Sequence, residues 1–121
     1  MIFNFEKLIV WQKSKDLVKT TYDIIKKFPG EERYVLSDQL RRAVISIASN
    51  IAEGNERPSV KDKTHFLDIS LGSLFEAYNQ FHIAKDLGYL SDNELMDLGL
   101  KCEEIAKMIN SYKSSLLNPK F

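Results

Sequence analysis

Residues 40–54 form the most unusual part of the hydrophobic pattern, because the ten positions from Ala43 to Ala52 carry no charge. Apolar residues recur here at three- and four-residue intervals, as on the buried stripe of an amphipathic helix. They are Leu40, Val44, Ile47 and Ile51. The positions beside this stripe are uncharged as well, whereas a helix exposed on one side carries charged residues there. The pattern predicts a helix covered on most sides, and it indicates self-assembly.

The first half of the chain predicts two helices. Helix one runs from about Asn4 to Lys27, where Phe28-Pro29-Gly30 ends it. Helix two follows Ser37, a good N-cap residue, and ends at Gly54. We interpret this glycine as the left-handed residue that commonly follows a helix C-terminus.

The second half predicts two further helices. Helix three follows Ser59 as its N-cap and continues to Leu87, before Gly88, and it has only two charged residues between positions 66 and 84. Helix four begins with a capping box formed by Ser91 and Glu94. Its apolar residues follow three-four spacing. They are Leu95, Leu98, Cys102, Ile105, Ile109, Tyr112 and Leu116.

Four helices joined by short connections predict an all-α fold, an antiparallel up-down-up-down four-helix bundle. At 121 residues the chain is expected to form a single domain spanning residues 1–121. No run approaches the roughly 18 apolar residues of a membrane span, and the first residues do not resemble a secretory signal. We therefore expect no membrane association and a cytoplasmic location.

Charge is balanced overall, with 17 basic and 17 acidic side chains. Residues 1–63 contain 12 basic and 9 acidic residues, and residues 64–121 contain 5 and 8, so the two halves carry +3 and −3. Tight nonspecific binding of nucleic acid normally requires a basic surface, which a neutral chain does not guarantee. A symmetric oligomer could gather its basic residues into a ring. These candidate nucleic-acid or partner-binding residues are Arg41, Arg42, Arg57, Lys61 and Lys63.

Catalytic and metal-binding chemistry has little support in the sequence. Di-iron bundles use two Glu-x-x-His motifs, and the nearest match is the single Asp62 to His65 spacing at a helix start. Cys102 lies on an apolar stripe, as a buried structural thiol does. We therefore assign no catalytic residue, no metal ligand and no cofactor, and we expect the protein not to be an enzyme.

Two carboxylates, Glu53 and Glu76, stand in helical stretches that otherwise lack charge. A carboxylate that leaves water needs a partner, so we expect them to form a structural polar network with Asn50, and the candidate partners are Arg41, Arg42 and Arg57. The alternative is that those arginines contact a ligand or nucleic acid.

Several sequence motifs together resemble the bacterial four-helix-bundle proteins encoded in intervening sequences of 23S ribosomal RNA genes. They are Leu8-Ile9-Val10-Trp11-Gln12-Lys13, Phe28-Pro29, Gln39-Leu40-Arg41-Arg42, Ser49-Asn50-Ile51-Ala52-Glu53-Gly54, Gly72-Ser73-Leu74 and Leu87-Gly88-Tyr89-Leu90. The resemblance implies a ring-shaped homopentamer. The chain is also similar to the accessory variability determinant of diversity-generating retroelements, a pentamer that binds nucleic acid and a reverse transcriptase.

Two hypotheses of function follow. The first is a non-enzymatic oligomeric interaction protein that engages structured RNA or an RNA-processing protein through the arginine-bearing ends of helix two. The second is a small-molecule or metal-dependent enzyme with its site in the bundle core. Such a site needs convergent polar groups inside the bundle, which the sequence does not display.

Overall fold

The computed structural model describes residues 1–119, which form four α-helices and two short 3-10 helices. The α-helices are α1 (Ile9–Ile25), α2 (Leu36–Asn55), α3 (Val60–Asp86) and α4 (Asp92–Leu117), and the 3-10 helices are Asn4–Lys7 and Gly30–Glu32. Each α-helix packs on the next one in the chain, and α4 packs on α1. This closes an antiparallel up-down-up-down bundle, and the predicted all-α fold is confirmed.

The apolar stripe of α2 lies at the centre of the core, as predicted. Its members Leu40, Val44, Ile47 and Ile51 are fully buried. Complete burial of one such side chain is worth about 1.5–3 kcal/mol, so this stripe is a major source of stability. The largest fully buried side chains of the other helices surround it. They are Leu17, Leu67, Phe81, Leu98, Ile105 and Ile109.

The predicted start of helix one at Asn4 is wrong. The chain first forms the 3-10 helix Asn4–Lys7, and Leu8 then has extended backbone angles (φ −73°, ψ 122°), so that α1 begins at Ile9. The ring of Phe5 meets Trp11 edge-on, with 5.0 Å between ring centroids. This contact packs the 3-10 helix against the first turn of α1, across the break in the backbone.

The predicted boundaries of helix two are wrong in two respects. α2 begins at Leu36, and Ser37 is a buried residue inside it rather than its N-cap. Gly54 is also helical and does not have the positive φ of a C-terminal glycine. Glycine is required at position 54 because α2 and α3 pack closely there. A Cβ at position 54 would lie 2.8 Å from the Cβ of Phe66 and 3.3 Å from the carbonyl oxygen of Lys63.

Small polar residues line the contact between α2 and α3. The hydroxyl oxygens of Ser46 and Ser73 are 2.7 Å apart, and the Ser70 hydroxyl donates to the carbonyl oxygen of Ile47 at 2.8 Å. The packing of α2 on α3 and α1 buries or half-buries eight of the ten residues from Ala43 to Ala52 within a single chain. Packing within one chain therefore accounts for most of the uncharged run, which does not by itself require self-assembly.

The end of α3 follows the prediction closely. The helix ends at Asp86, and Gly88 has a φ of +84°. The Gly88 N–H donates to the carbonyl oxygen of Lys85, and the Tyr89 N–H donates to that of Ala84, each at 2.9 Å. These two bonds form a Schellman motif, which satisfies carbonyl groups that the helix end leaves free.

Both predicted N-caps of the second half are confirmed. The hydroxyl of Ser59 accepts from the backbone N–H of Asp62 at 3.1 Å. Ser91 and Glu94 form the complete capping box, with each side chain accepting from the other residue's backbone N–H. Lys27 also donates to Glu94, and this bond together with the capping bond lowers the pKa of the Glu94 carboxyl.

Candidate functional site

The five predicted binding residues fall into two groups at opposite ends of α2. Arg41 and Arg42 lie in its second turn, whereas Arg57 follows its last residue and Lys61 and Lys63 lie in the first turn of α3. An α-helix rises 1.5 Å per residue, so the stretch between the two groups is about 21 Å long. A single chain therefore does not bring the five residues into one patch.

The first group serves mainly to hold the connection between α1 and α2. Arg41 Nη2 donates to the carbonyl oxygen of Arg33 at 2.8 Å and lies 3.9 Å from Asp38 Oδ1. Arg42 Nε donates to Asp38 Oδ2 at 2.9 Å, and its side chain remains 79% exposed. Arg42 is therefore the member of this pair that is available to a partner.

We call the second group, Arg57, Lys61 and Lys63, the basic end. The guanidinium of Arg57 lies over the ring of Phe66, 4.6 Å from its centroid, which fixes the cation on the surface. Lys63 Nζ donates to the carbonyl oxygen of Asn55 at 2.6 Å and so satisfies the last carbonyl of α2. Lys61 is exposed. Arg57 and Lys61, four residues apart in the chain, thus both present their charges to solvent.

Asn55 fastens α4 to the basic end, a role that the sequence analysis missed. The Tyr112 hydroxyl donates to Asn55 Oδ1 at 2.5 Å, and Asn55 Nδ2 donates to Glu56 Oε2 at 2.7 Å. Burial and the nearby Glu56 carboxylate raise the pKa of Tyr112. The loop that carries Arg57 is consequently held by α3, through Lys63 and Phe66, and by α4, through Tyr112. A sequence signal for this arrangement is lacking, because Tyr112 lies 57 residues from Asn55.

The three residues of the predicted polar network lie apart. Asn50 Nδ2 donates to the carbonyl oxygen of Ser46 at 2.8 Å, one turn earlier in the same helix. Glu76 is exposed, and its Oε1 accepts from Gln80 Nε2 at 3.3 Å. Glu53 is exposed in the last turns of α2. The structure does not join these side chains into one network, and the arginines bond to the other partners described above.

Side chains with catalytic or metal-binding potential are scattered. Burial raises the pKa of the Cys102 thiol to about 11, so it is protonated at neutral pH. The ring of His82 meets Tyr78 edge-on at 4.7 Å between centroids, and His65 meets Phe66 in the same way at 5.7 Å. Within residues 1–119 no three His, Cys, Asp or Glu side chains form a group that could hold a metal ion.

An exposed apolar surface runs along α3 and α4. Phe75, Met96 and Leu100 are 58%, 65% and 59% exposed. They border two adjoining grooves of about 270 and 500 Å³ that share Tyr78, Gly99 and the carboxylate-bearing Glu103. We call Phe75, Tyr78, Met96, Gly99 and Leu100 the α3–α4 face. The low charge of residues 66–84 predicts the α3 part of this surface, whereas the sequence pattern did not lead us to predict the α4 part.

The 23S rRNA-intervening sequence protein family matches this chain over residues 6–111. The chain belongs to this family. The match covers all of α1, α2 and α3 and most of α4, so the predicted resemblance is confirmed.

The fold of this family member is also found in a solved structure. A protein of unknown function from the S23 ribosomal protein family of Bacteroides thetaiotaomicron VPI-5482 superposes with a TM-score of 0.81. The two sequences are 23% identical, and the match covers 88% of this chain and 96% of the other. At this identity the likeness shows the shared fold. A comparison with curated proteins gave no match. Among the described helices, none is long and apolar enough to cross a membrane.

Proposed function

We propose that this member of the 23S rRNA-intervening sequence protein family is a non-enzymatic, self-assembling cytoplasmic protein that binds structured RNA through the basic end of each copy. The observation that carries the proposal is the exposure of Arg57, on a loop that is held in place, together with that of Lys61 in the first turn of α3. Arg57 lies over Phe66, and the loop is anchored by Lys63 and Asn55. A cation that is already positioned loses little side-chain entropy when it meets a phosphate.

A single copy supplies too little charge for tight binding. The basic end is accompanied by Glu53, Glu56 and Asp62, and the whole chain is neutral. Affinity must therefore come from several copies that contact one RNA together, since linked weak contacts multiply through effective concentration. Self-assembly is for this reason part of the proposed function.

The α3–α4 face supports self-assembly. Its residues Phe75, Met96 and Leu100 are more than half exposed and border adjoining grooves, and monomeric soluble proteins rarely leave a large contiguous apolar surface in water. The resemblance to ring-forming relatives favours a homopentamer. Five copies of this 14.0 kDa chain correspond to a mass of about 70 kDa. The α3–α4 face and the basic end involve different residues, so a copy could assemble and bind RNA at once.

A fluorescence-anisotropy titration with a labelled RNA hairpin tests the proposal. We expect micromolar or tighter binding at about 50 mM salt, with a steep loss of affinity as the salt concentration rises. Lys61→Ala should reduce both the affinity and the salt dependence, because each lost phosphate contact lowers the log–log slope by about 0.7–0.9. The matched control is Lys19→Ala, which removes an exposed lysine from α1 and should leave binding unchanged.

Two results would contradict this function. One is the absence of binding by the assembled protein at micromolar concentration, which would favour an RNA-processing protein as the partner. The other is equal weakening by Lys61→Ala and Lys19→Ala, because contacts spread over the whole surface would then account for the binding.

A further inference from the structure

A groove of about 460 Å³ lies next to the basic end, between the 3-10 helix at the start of the chain and the last turn of α2. Its apolar wall is formed by Phe3, Phe5, Ala52 and Pro58. The rings of Phe3 and Phe5 are stacked, 6.2 Å apart and 8° from parallel. Phe5 is held against Trp11, whereas Phe3 is 57% exposed. The groove therefore offers an aromatic face to solvent on a fixed support.

Three charged side chains complete the lining of this groove: Glu53, Glu56 and Arg57. The Glu56 carboxylate accepts from Asn55, and the Arg57 guanidinium lies over Phe66, so both are held in place. Glu53 is exposed. With two carboxylates and one cation, the interior of the groove repels a phosphate group. It suits a flat, uncharged group that carries N–H donors.

An unpaired guanine base has these properties. Aromatic side chains bind bases by stacking on their π-face, and a carboxylate with two oxygens can accept from two adjacent donors. Guanine presents adjacent N–H and NH₂ donors on its Watson–Crick edge. Adenine and uracil place an acceptor next to a donor on that edge, and the acceptor would face a carboxylate oxygen.

We propose that the groove is a binding site for an unpaired guanine in an RNA loop. The base stacks on Phe3, its Watson–Crick edge donates to the Glu53 carboxylate, and the flanking phosphates lie outside the groove at Arg57 and Lys61. This inference rests on the proposed RNA-binding function, and it adds a base preference to phosphate contacts that carry none.

The test uses the full-length assembled protein and three RNA hairpins that share one stem and differ at a single loop position, which is G, A or U. We expect the G hairpin to bind about fivefold or more tightly than the other two. Phe3→Ala should remove this preference and weaken binding of the G hairpin by about fivefold or more. A loss of about fivefold is the smallest effect expected when one base–aromatic stack is removed. Glu53→Gln should reduce the preference while leaving the weaker binding of the A and U hairpins intact.

Two matched controls exclude a general effect of surface substitution. Tyr34→Ala removes an aromatic side chain that is 80% exposed and lies beside Arg33, and Glu31→Gln neutralises an exposed carboxylate in the α1–α2 connection. Both should keep the guanine preference of the parent protein. Free guanosine monophosphate, added at the concentration of the hairpin, should not displace the RNA, because it carries only one of the phosphates that flank a guanine within RNA.

The possible failures are distinguishable. Equal affinity for the three hairpins, or an unchanged preference in Phe3→Ala, would overturn the guanine site while leaving RNA binding by the basic end in place. Displacement of the hairpin by equimolar guanosine monophosphate would overturn an RNA loop as the occupant. No binding to any hairpin would overturn the proposed function together with this inference.

Discussion

Gly54 of α2 faces Phe66 of α3 so closely that a Cβ at position 54 would lie 2.8 Å from the Cβ of Phe66. The neighbouring contact is to backbone, since the same Cβ would lie 3.3 Å from the carbonyl oxygen of Lys63. Relief of this contact requires α2 and α3 to move apart, because a side chain cannot rotate its own Cβ away. The close approach lies next to the basic end, which begins three residues after Gly54 in the chain.

Overpacking a core usually costs about 1–3 kcal/mol, and alanine regains roughly 1 kcal/mol over glycine in a helix. Gly54→Ala is therefore expected to lower the free energy of unfolding by up to about 2 kcal/mol. Gly72→Ala is the matched control, because an added Cβ on this helical residue meets nothing within 4 Å and should stabilise the protein. Urea unfolding at equal protein concentration measures both variants. Stabilisation by Gly54→Ala would contradict the packing role.

Ser91→Ala should destabilise the protein by about 1 kcal/mol, because the variant loses one half of the capping box at the start of α4. The backbone N–H of Glu94 then loses its acceptor within the protein. Asn110→Ala serves as the control, since it replaces an exposed residue in the middle of α4 and should leave stability unchanged or raise it slightly. Thermal unfolding followed by circular dichroism distinguishes the two. Equal melting temperatures for Ser91→Ala and Asn110→Ala would show that the cap is not needed.

Cys102 should make stability depend on alkaline pH. Its pKa is raised by burial from 9.0 to about 11, so below pH 9 the thiol is protonated in both the folded and the unfolded chain. Between pH 9 and pH 11 the unfolded chain loses its proton first, which favours unfolding by an amount that grows to about 2–3 kcal/mol. Cys102→Ala removes this contribution. If Cys102→Ala is less stable than the parent protein at pH 8, the difference between their unfolding free energies should shrink from pH 9 to pH 11. Parallel pH profiles would contradict burial of the thiol.

Local chemistry made the second half of the fold predictable from sequence. Ser91 and Glu94 lie three residues apart and satisfy each other's backbone N–H, so the start of α4 needs no information from other helices. The same holds for Gly88, whose positive φ is required by the turn that follows α3. The apolar stripe of α2 was predictable too, because a period of 3.6 residues identifies the buried side of a helix.

Contacts between helices account for the errors. Gly54 was interpreted as a helix terminator, but a glycine required for close packing looks the same in the sequence as one required for a left-handed turn. The uncharged run of α2 is covered largely within one chain, and nothing in the sequence shows that Ser70 and Ser73 of α3 lie against it.

The candidate site was only partly predictable for the same reason. The sequence identifies Arg41 and Lys63 as cations, but their bonds to the carbonyl oxygens of Arg33 and Asn55 depend on how the connecting loops fold. The groove beside the basic end depends on the break at Leu8, which directs the first residues towards the end of α2. Helical periodicity contains no sign of this break.

The proposed function depends on self-assembly through the α3–α4 face, because a neutral chain needs several copies to hold one RNA. Light scattering after size-exclusion chromatography tests it at micromolar concentration. We expect the parent protein to have a mass several times 14.0 kDa, about 70 kDa for a pentamer. Leu117→Glu is the control and should keep the parent mass, because Leu117 is 57% exposed but lies at the end of α4. Leu100→Glu should lower the mass and keep the helical circular dichroism spectrum, since a charge would then lie inside the interface. A parent mass of 14.0 kDa, or an unchanged mass in Leu100→Glu, would contradict the claim.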